Sequence, residues 1–523
     1  MMKKRFGMFL TLLLMVTVVV SACSSGNNNG SNTNDSSNNG KNSSTSNASA
    51  ANKGDADAKA DKGPPAKLSM IVQSHAAWPL KPDWLVYEML EEYANVELEV
   101  SGYQGNWWEA IPLIIASGDL PDMMWMSGPD IIHENGENGA LVNLLDHMDK
   151  MPNLKAWIDK HPDETNSLLS HDGKLYMHPA SGAYGDWDGL WLHREDIFKK
   201  HNIAAPTNYD EFYDVLKQLK EQYPDSYPLY IPDWGSMNEI ALSFGTANDY
   251  YYNEEAGEWR YGAIEDNYKQ GVQFLADAYR DKLIPQEFGN LDSNKRNELV
   301  TTDRTFILYG YINNIDSYNN LAREANPDFK MAHFAPPGGA GHKGVHGNKF
   351  IFQQGLTVTT TSKNKDAAFA FIDSLFTEQA REMVSWGKEG VTFEKADGKN
   401  KYLPVVKDTA VRSIDFGLRT AGVNAWFDNE ANIALFNDET KASYMEASKH
   451  IGPAAKTVVF TKDERQSIAI KKDAIGQYTA ENISKFIVGQ KPMSEWDAYV
   501  KGLKDLGVED VLAVYEKAYA RSK

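Results

Sequence analysis

The sequence predicts an α/β body carried behind an exported and tethered N-terminus. Beyond residue 66, short strand-like runs alternate with helix-like runs. That alternation is the signature of a mostly parallel sheet covered by helices. The body has no cysteine, because the chain's single one is Cys23. A packed core rather than disulfides must therefore hold it. No second apolar run near 18 residues follows the first, so no transmembrane helix is expected in the body.

The N-terminus opens with Lys3, Lys4 and Arg5, continues as an apolar run from Met8 to Val20, and reaches Val20-Ser-Ala-Cys23. Small residues directly before a cysteine resemble the lipobox of bacterial lipoproteins, although Val20 stands where Leu is commonest. The resemblance implies cleavage before Cys23 and a lipid on its sulfur, so residues 1–22 read as a signal peptide. Residues 23–66 then form a lipidated cysteine and a Ser/Asn/Gly-rich tether. Without aromatic residues this segment cannot bury enough surface to offset its ordering entropy. As a random coil it spans roughly 35 Å.

In the body, Lys67 to Gln73 reads as a strand and Pro82 to Ala94 as a helix with Trp84, Tyr87, Leu90 and Ala94 on one side. Val96, Leu98 and Val100 alternate with acidic residues at strand period. Trp107, Ile111, Ile114 and Ile115 have helical spacing that stops at Gly118, and Asp122 to Met126 is the next strand. Leu190 to Leu192 is another strand. Pro206 and Thr207 then open a helix, with Asp210 placed as in a capping box and Phe212, Val215, Leu216 and Leu219 as its stripe. Leu356 to Thr360 reads as a strand, and a helix from about Asn364 buries Phe369, Ile372, Phe376 and Met383.

The net charge of −19 argues against nucleic acid or an anionic membrane surface as the main partner. Gly339, Gly341 and Gly344 satisfy G-x-G-x-x-G, but prolines precede them and a strand, Lys349 to Phe352, is expected after them. A dinucleotide site needs the reverse order, so this reads as a loop. The histidines show no metal spacing, and no nucleophile elbow occurs. Neither a metal nor a cofactor is expected, and nothing argues for catalysis.

The 13 tryptophans are more telling. Many sit beside turn residues rather than inside apolar stripes. Trp78, Trp125, Tyr184, Trp187, Trp234, Tyr311, Trp386 and Trp426 are candidate walls for a sugar, because flat aromatic faces stack on the apolar faces of sugar rings. Ser127, Asp130, Asp233 and Glu389 are candidate partners for its hydroxyls. The same residues could instead be core, or could serve a secreted carbohydrate-active enzyme.

Four segments in order carry a resemblance: Ile115-Ala-Ser-Gly-Asp-Leu-Pro-Asp122; Leu190-Trp-Leu-His-Arg-Glu-Asp196 with Pro206-Thr207 and Asp210-Glu-Phe212; Ala278 to Phe288; and Trp386-Gly-Lys-Glu-Gly-Val-Thr-Phe393. The chain resembles the extracellular solute-binding lipoproteins of ABC importers, of the large Gram-positive, oligosaccharide-binding type. The resemblance implies two α/β lobes of the periplasmic-binding-protein kind with a ligand cleft between them. Lobe one would be residues 67–186 plus 353–385, and lobe two 187–352 plus 386–523. It further implies a non-enzymatic monomer, lipid-anchored on the outer face of the cell membrane. Its partners would be an oligosaccharide and ABC permease subunits. A sensory or adhesive sugar-binding lipoprotein would fit equally. Relatives often carry a calcium loop after the helix that here is Asp210 to Gln222. This chain has the short Gln222-Tyr-Pro-Asp-Ser-Tyr-Pro228 there, and no calcium is expected.

Overall fold

A computed structural model describes residues 63–522, except 77, 183–188, 232–234, 288–292 and 349–353. Cys23 and the tether as far as residue 62 lie outside the described residues, and the last tether residue, Ala66, already starts the first strand. Among the described residues, no helix is long and apolar enough to cross a membrane.

The chain first builds β1 (Ala66–Gln73), α1 (Leu85–Ala94), β2 (Val96–Tyr103), α2 (Trp107–Ser117), β3 (Met123–Ser127), α3 (Pro129–Glu137), α4 (Pro152–Ile158) and α5 (Pro162–Asn166). Local chemistry sets these limits. α1 stops at Asn95 in the left-handed conformation. α2 starts at Asn106, whose side chain accepts from the Trp108 N–H, and ends at Gly118 with φ 72°. β3 is the apolar run Met123-Met-Trp-Met126, buried on both faces as an interior strand must be.

A second run follows: β4 (Leu190–Arg194), α6 (Glu195–Lys200), α7 (Tyr209–Gln222), β5 (Leu229–Tyr230), α8 (Gly235–Ser243), β6 (Tyr250–Asn253), β7 (Glu258–Tyr261), α9 (Asp266–Arg280), α10 (Ser293–Thr301), β8 (Ile307–Gly310), α11 (Asn313–Ala322) and β9 (Met331–His333). The chain then adds β10 (Gln354–Val358), α12 (Lys365–Ser374), α13 (Glu378–Trp386), β11 (Phe393–Ala396), β12 (Lys399–Tyr402), α14 (Thr409–Phe416) and α15 (Glu430–Ile433). It closes with α16 (Asp438–Ala447), α17 (Lys462–Ile487), α18 (Trp496–Asp505) and α19 (Val508–Ser522).

These elements form two lobes, each around its own sheet. The first sheet has order β10-β3-β1-β2, with β1 parallel to both neighbours and β10 antiparallel to β3. The second has order β5-β8-β4-β9, with β5 and β8 parallel and β4 antiparallel to β8 and β9. Along β4 the side chains alternate between two apolar layers. Trp191 enters the one shared with α7, α9 and α17, while Leu190 and Leu192 enter the one shared with α11. The chain passes between lobes from Gly182 to Gly189, from Asn348 to Gln354, and from Ile433 to Asp438.

The first core draws on residues 68–177 and 356–431, including Trp386, Phe393, Leu418, Val423, Ala425, Phe427 and Ala431. Residues 386–431 were expected with lobe two. The reason for the difference is packing: the segment after α13 folds back onto α1, where the Trp84 indole donates to the Ile414 carbonyl. Three local readings also shift. The helix expected from Asn364 through Met383 is two helices, because the Thr377 side chain caps a new start by accepting from the Ala380 N–H. The cap of α7 is Asn208, and the acidic residue reaching back is Glu211 rather than Asp210. Gly339 to Gly344 is a loop with no helix opening in it.

Candidate functional site

Register places one edge of each sheet at the passages between lobes. Gln73 pairs with Tyr103, and Gln354 with Ser127, so the carboxyl ends of β1, β2 and β3 share an edge with the start of β10. In the second sheet Leu190 pairs with Gly310, so the carboxyl end of β8 shares an edge with the start of β4. Gly182 and Gly189 are seven residues apart, which limits their separation to about 25 Å. Strand ends at a chain crossover are where α/β folds bind ligands.

The expected wall residues divide by burial. Trp78 lies just past β1, half-buried, with its ring stacked on His75 at 3.8 Å. Burial lowers the pKa of His75, which keeps that stack uncharged. Tyr311 follows β8 directly and is 61% exposed, its N–H held by the Asn314 side chain at 2.8 Å. Ser127 ends β3 and is half-buried, and Asp130 is exposed in the first turn of α3. Trp426 is half-buried, bridged through its backbone to Ser181, with Arg381 over its ring at 4.9 Å.

Two candidates prove to be core. Trp125 is 5% exposed and packs on Trp107. Trp386 is 3% exposed, its indole donating to Asp428 at 2.9 Å and its ring lying on Tyr402. Their flat faces are held by neighbours of the first lobe and are not offered to a ligand. Glu389 is exposed and pairs with Lys395 at 3.8 Å. Tyr184, Trp187, Asp233 and Trp234 lie outside the described residues.

The structure adds residues that sequence reasoning missed. A cavity of roughly 230 Å³ draws Pro129, Asp130, His133 and Ser167 from the first lobe, and Tyr250, Trp259, Tyr515 and residues 456–460 from the second. It is smaller than the common ligand pocket of about 300–1,000 Å³. Its aromatic wall is rigid: Tyr250 stacks on Tyr515 at 4.7 Å, and Trp259 lies 5.0 Å from Tyr515. Tyr250 and Trp259 stand on the β6–β7 hairpin, which is closed by the Gly257 N–H on the Asn253 carbonyl at 2.8 Å. The signal was present in the aromatic run Tyr250-Tyr-Tyr252 and Trp259-Arg-Tyr261 around that Gly-containing turn.

Electrostatics at this cavity are mixed. The Lys472 ammonium sits 5.4 to 6.0 Å from the ring centroids of Tyr515, Phe460 and Tyr250 and donates to the Tyr515 hydroxyl at 3.1 Å. Burial pulls its pKa down, but Tyr515 and Asp130 help to outweigh this, and it stands above the ordinary lysine value. The His133 ring is buried and meets the Leu168 carbonyl at 2.9 Å. Burial, then the charge of Arg465, lower its pKa. Tyr250 and Tyr515 are pushed up by burial, so both remain hydroxyl donors at neutral pH. A second, larger groove of roughly 590 Å³ beside α2, lined by Ser69, Leu113 and Asp119 among others, draws on the first lobe alone. Among the described residues no group of three or more His, Cys, Asp or Glu could hold a metal ion.

The motif residue Asp122 is structural. It accepts from the Ser69 N–H at 2.9 Å and from the hydroxyls of Ser69 at 3.0 Å and Ser362 at 2.6 Å, tying β1 and β3 to the segment after β10. Burial would raise its pKa, but these bonds hold it below the usual carboxylate value.

Two lobes, each around its own sheet, with a cavity lined from both are the build of a solute receptor, and comparison with known proteins agrees. Residues 78–382 match the family model of bacterial extracellular solute-binding proteins, and the chain belongs to that family. It is 25% identical over 490 residues to the fructooligosaccharide ABC transporter substrate-binding protein FusA of Streptococcus pneumoniae serotype 4, covering 85% of this chain and 89% of FusA. It is 22% identical to the polygalacturonan/rhamnogalacturonan-binding protein YtcQ of Bacillus subtilis, covering 90% and 94%. The fold is similar to that of the alginate-binding protein AlgQ2 without calcium ion (TM-score 0.76, 23% identity, 88% and 99% coverage). It is also similar to that of FusA in complex with kestose (TM-score 0.71, 21% identity, 87% and 100% coverage).

Proposed function

We propose that this protein captures an oligosaccharide outside the cell and delivers it to the membrane permease of an ABC importer by closing its lobes over it. It works as a monomer, without catalysis. The observation that carries the reading is the cleft itself. An aromatic-walled cavity takes residues from both lobes. Stacking surfaces there would be Trp78, Tyr311, Trp426, Tyr250 and Trp259, with Tyr184, Trp187 and Trp234 from the sequence reading. Ser127, Asp130 and Asp233 would bond hydroxyls. The named relatives are a fructooligosaccharide ABC transporter substrate-binding protein and a polygalacturonan/rhamnogalacturonan-binding protein, which supports a carbohydrate. Lobe one in this reading is residues 67–182 plus 354–436, and the remainder of the body is lobe two.

Titration with fructooligosaccharides, oligogalacturonides and alginate oligomers, followed by tryptophan fluorescence and calorimetry, tests the assignment. Saturable binding of one class is expected. Binding of a peptide and of no saccharide would defeat it. Cys23 would carry the lipid that keeps the receptor on the outer face of the membrane. Cys23→Ser is then expected to release the protein into the medium with sugar affinity unchanged.

A further inference from the structure

The two lobes touch along α3 of the first and α17 of the second, beside the cavity. Glu137 closes α3 and is the centre of this contact. Its carboxylate accepts from the Arg465 guanidinium and meets the His171 ring at 3.1 Å. The Glu137 and Arg465 side chains are only 8% and 13% exposed. Next to it, the Asn138 side-chain oxygen accepts from the Lys462 ammonium at 2.8 Å. At the other end of α3, Asp130 attracts the Lys472 ammonium.

The order of these contacts reveals a matched pair of helix faces. Asp130 and Glu137 are two turns apart on α3, and Lys472 and Arg465 are two turns apart on α17, so each pair spans roughly 10 Å along one face. Glu137 meets Arg465, while the next residue along the chain, Asn138, meets the earlier Lys462, so the helices run antiparallel at the contact. The acidic face is on one lobe and the basic face on the other.

The basic face is held in place by its own lobe. The first turn of α17 carries a full capping box, with the Thr461 side chain on the Glu464 N–H and the Glu464 carboxylate on the Thr461 N–H. Arg521 of α19 adds two bonds to Glu464, each 2.9 Å. Burial would raise the pKa of Glu464, but Arg521, the Thr461 N–H and Lys517 hold it at about 2. The Arg465 guanidinium is further steadied by the Phe460 carbonyl at 2.6 Å. Lys462 and Arg465 are thus fixed before lobe one arrives.

We infer that Glu137 and Asn138 of α3, with Lys462 and Arg465 of α17, form a polar clasp between the lobes that sets how far they open when no solute is bound. Separating the lobes would expose a buried ion pair to water, and closing them would desolvate it again. The clasp therefore acts on the open-to-closed ratio, and any solute must work with or against it. The inference rests on the reading that the lobes close on a solute.

The lack of cysteine in the body makes a distance measurement direct. In a full-length Cys23→Ser chain, spin labels at Lys160→Cys on lobe one and Gln490→Cys on lobe two would report the separation without ligand. Glu137→Gln is expected to raise the open-to-closed ratio about tenfold and Lys462→Gln about threefold. Lys462→Gln keeps the test readable if Glu137→Gln folds poorly. Distance distributions in both variants that superimpose on the parent would overturn the clasp. Adding the fructooligosaccharide and oligogalacturonide panel separates the two ideas. Shortening of the parent's distance by sugar, with both variants matching the parent, leaves capture standing and removes the clasp. Variants that open, with no response to any sugar, leave the clasp and remove sugar capture.

Discussion

Arg194 and Arg465 are both guanidinium groups drawn out of water onto carboxylates, yet they join different things. Arg194 is fully buried inside lobe two. It forks onto Asp196 at 2.9 and 2.7 Å, reaches Asp303 at 2.6 Å, and lies 3.9 Å from the Phe329 ring centroid. Arg465 reaches out of lobe two to Glu137 of lobe one. Desolvating a charge costs several kcal/mol in either case. Within one lobe that cost is met once, at folding, and the pair then holds β4 to the start of α6 and the end of α10. Between lobes it recurs at each closure. The same chemistry thus belongs to stability in one place and to conformation in the other.

The largest expected effect tests the first half of that contrast. Arg194→Met keeps most of the volume but leaves Asp196 and Asp303 without their cation. It is expected to cost about 3 kcal/mol, the lower end for a broken buried pair because Asp303 faces water. Denaturant unfolding would measure it. The lobe separation of the folded protein should not change. An altered separation at unchanged stability would erase the distinction between the two arginines.

A smaller effect is expected where the cleft meets solvent. Tyr311 is exposed and packs into no core, so Tyr311→Ala should leave the melting temperature within about a degree while sugar affinity falls about tenfold. Equal affinity for whichever sugar binds the parent would remove Tyr311 from the cleft wall.

The fold was legible in the sequence because its signals are local. The 3.6-residue stripe of α7, the apolar run of β3 and the stop at Gly118 depend on neighbours a few residues away. The site was legible only in part, because a tryptophan beside a turn residue looks the same whether its ring faces solvent or packs beneath the turn. Trp386 and Trp78 both stand next to Gly or Pro. One donates to Asp428 inside the core, and the other stacks on His75 at a sheet edge. The return of residues 386–431 to lobe one was illegible for a related reason, since nothing local marks where α1 will find its partner. Likewise Glu137 and Arg465 read as ordinary surface charges until distant helices bring them together.

Acid gives the smallest of these effects and tests whether a second buried polar group in lobe two acts like Arg194 or like Arg465. His333 at the end of β9 and His346, close before the passage at Asn348, meet Nε2 to Nε2 at 2.9 Å. Burial first, and then neighbouring histidines, push His333 to about 4 and His346 to about 3. The groups facing them are His450, His193 and, more distantly, Glu446, whose charge works the other way on His333. Both folded values lie below the unfolded value of about 6.5. Stability is therefore complete above pH 6.5 and is lost as pH falls from there toward 4, because the unfolded chain takes up protons that the folded one refuses. At pH 6 each histidine should cost roughly 1 kcal/mol relative to pH 8. His178 and His193, each also held at about 4 by burial, contribute in the same direction. His346→Phe is expected to subtract one histidine's share from the acid loss, read as melting temperature against pH. Because both partners of this pair sit within lobe two, the spin-label distance should hold steady over the same range. A distance that lengthened with acid in the parent and not in His346→Phe would move the pair from the class of Arg194 to that of Arg465.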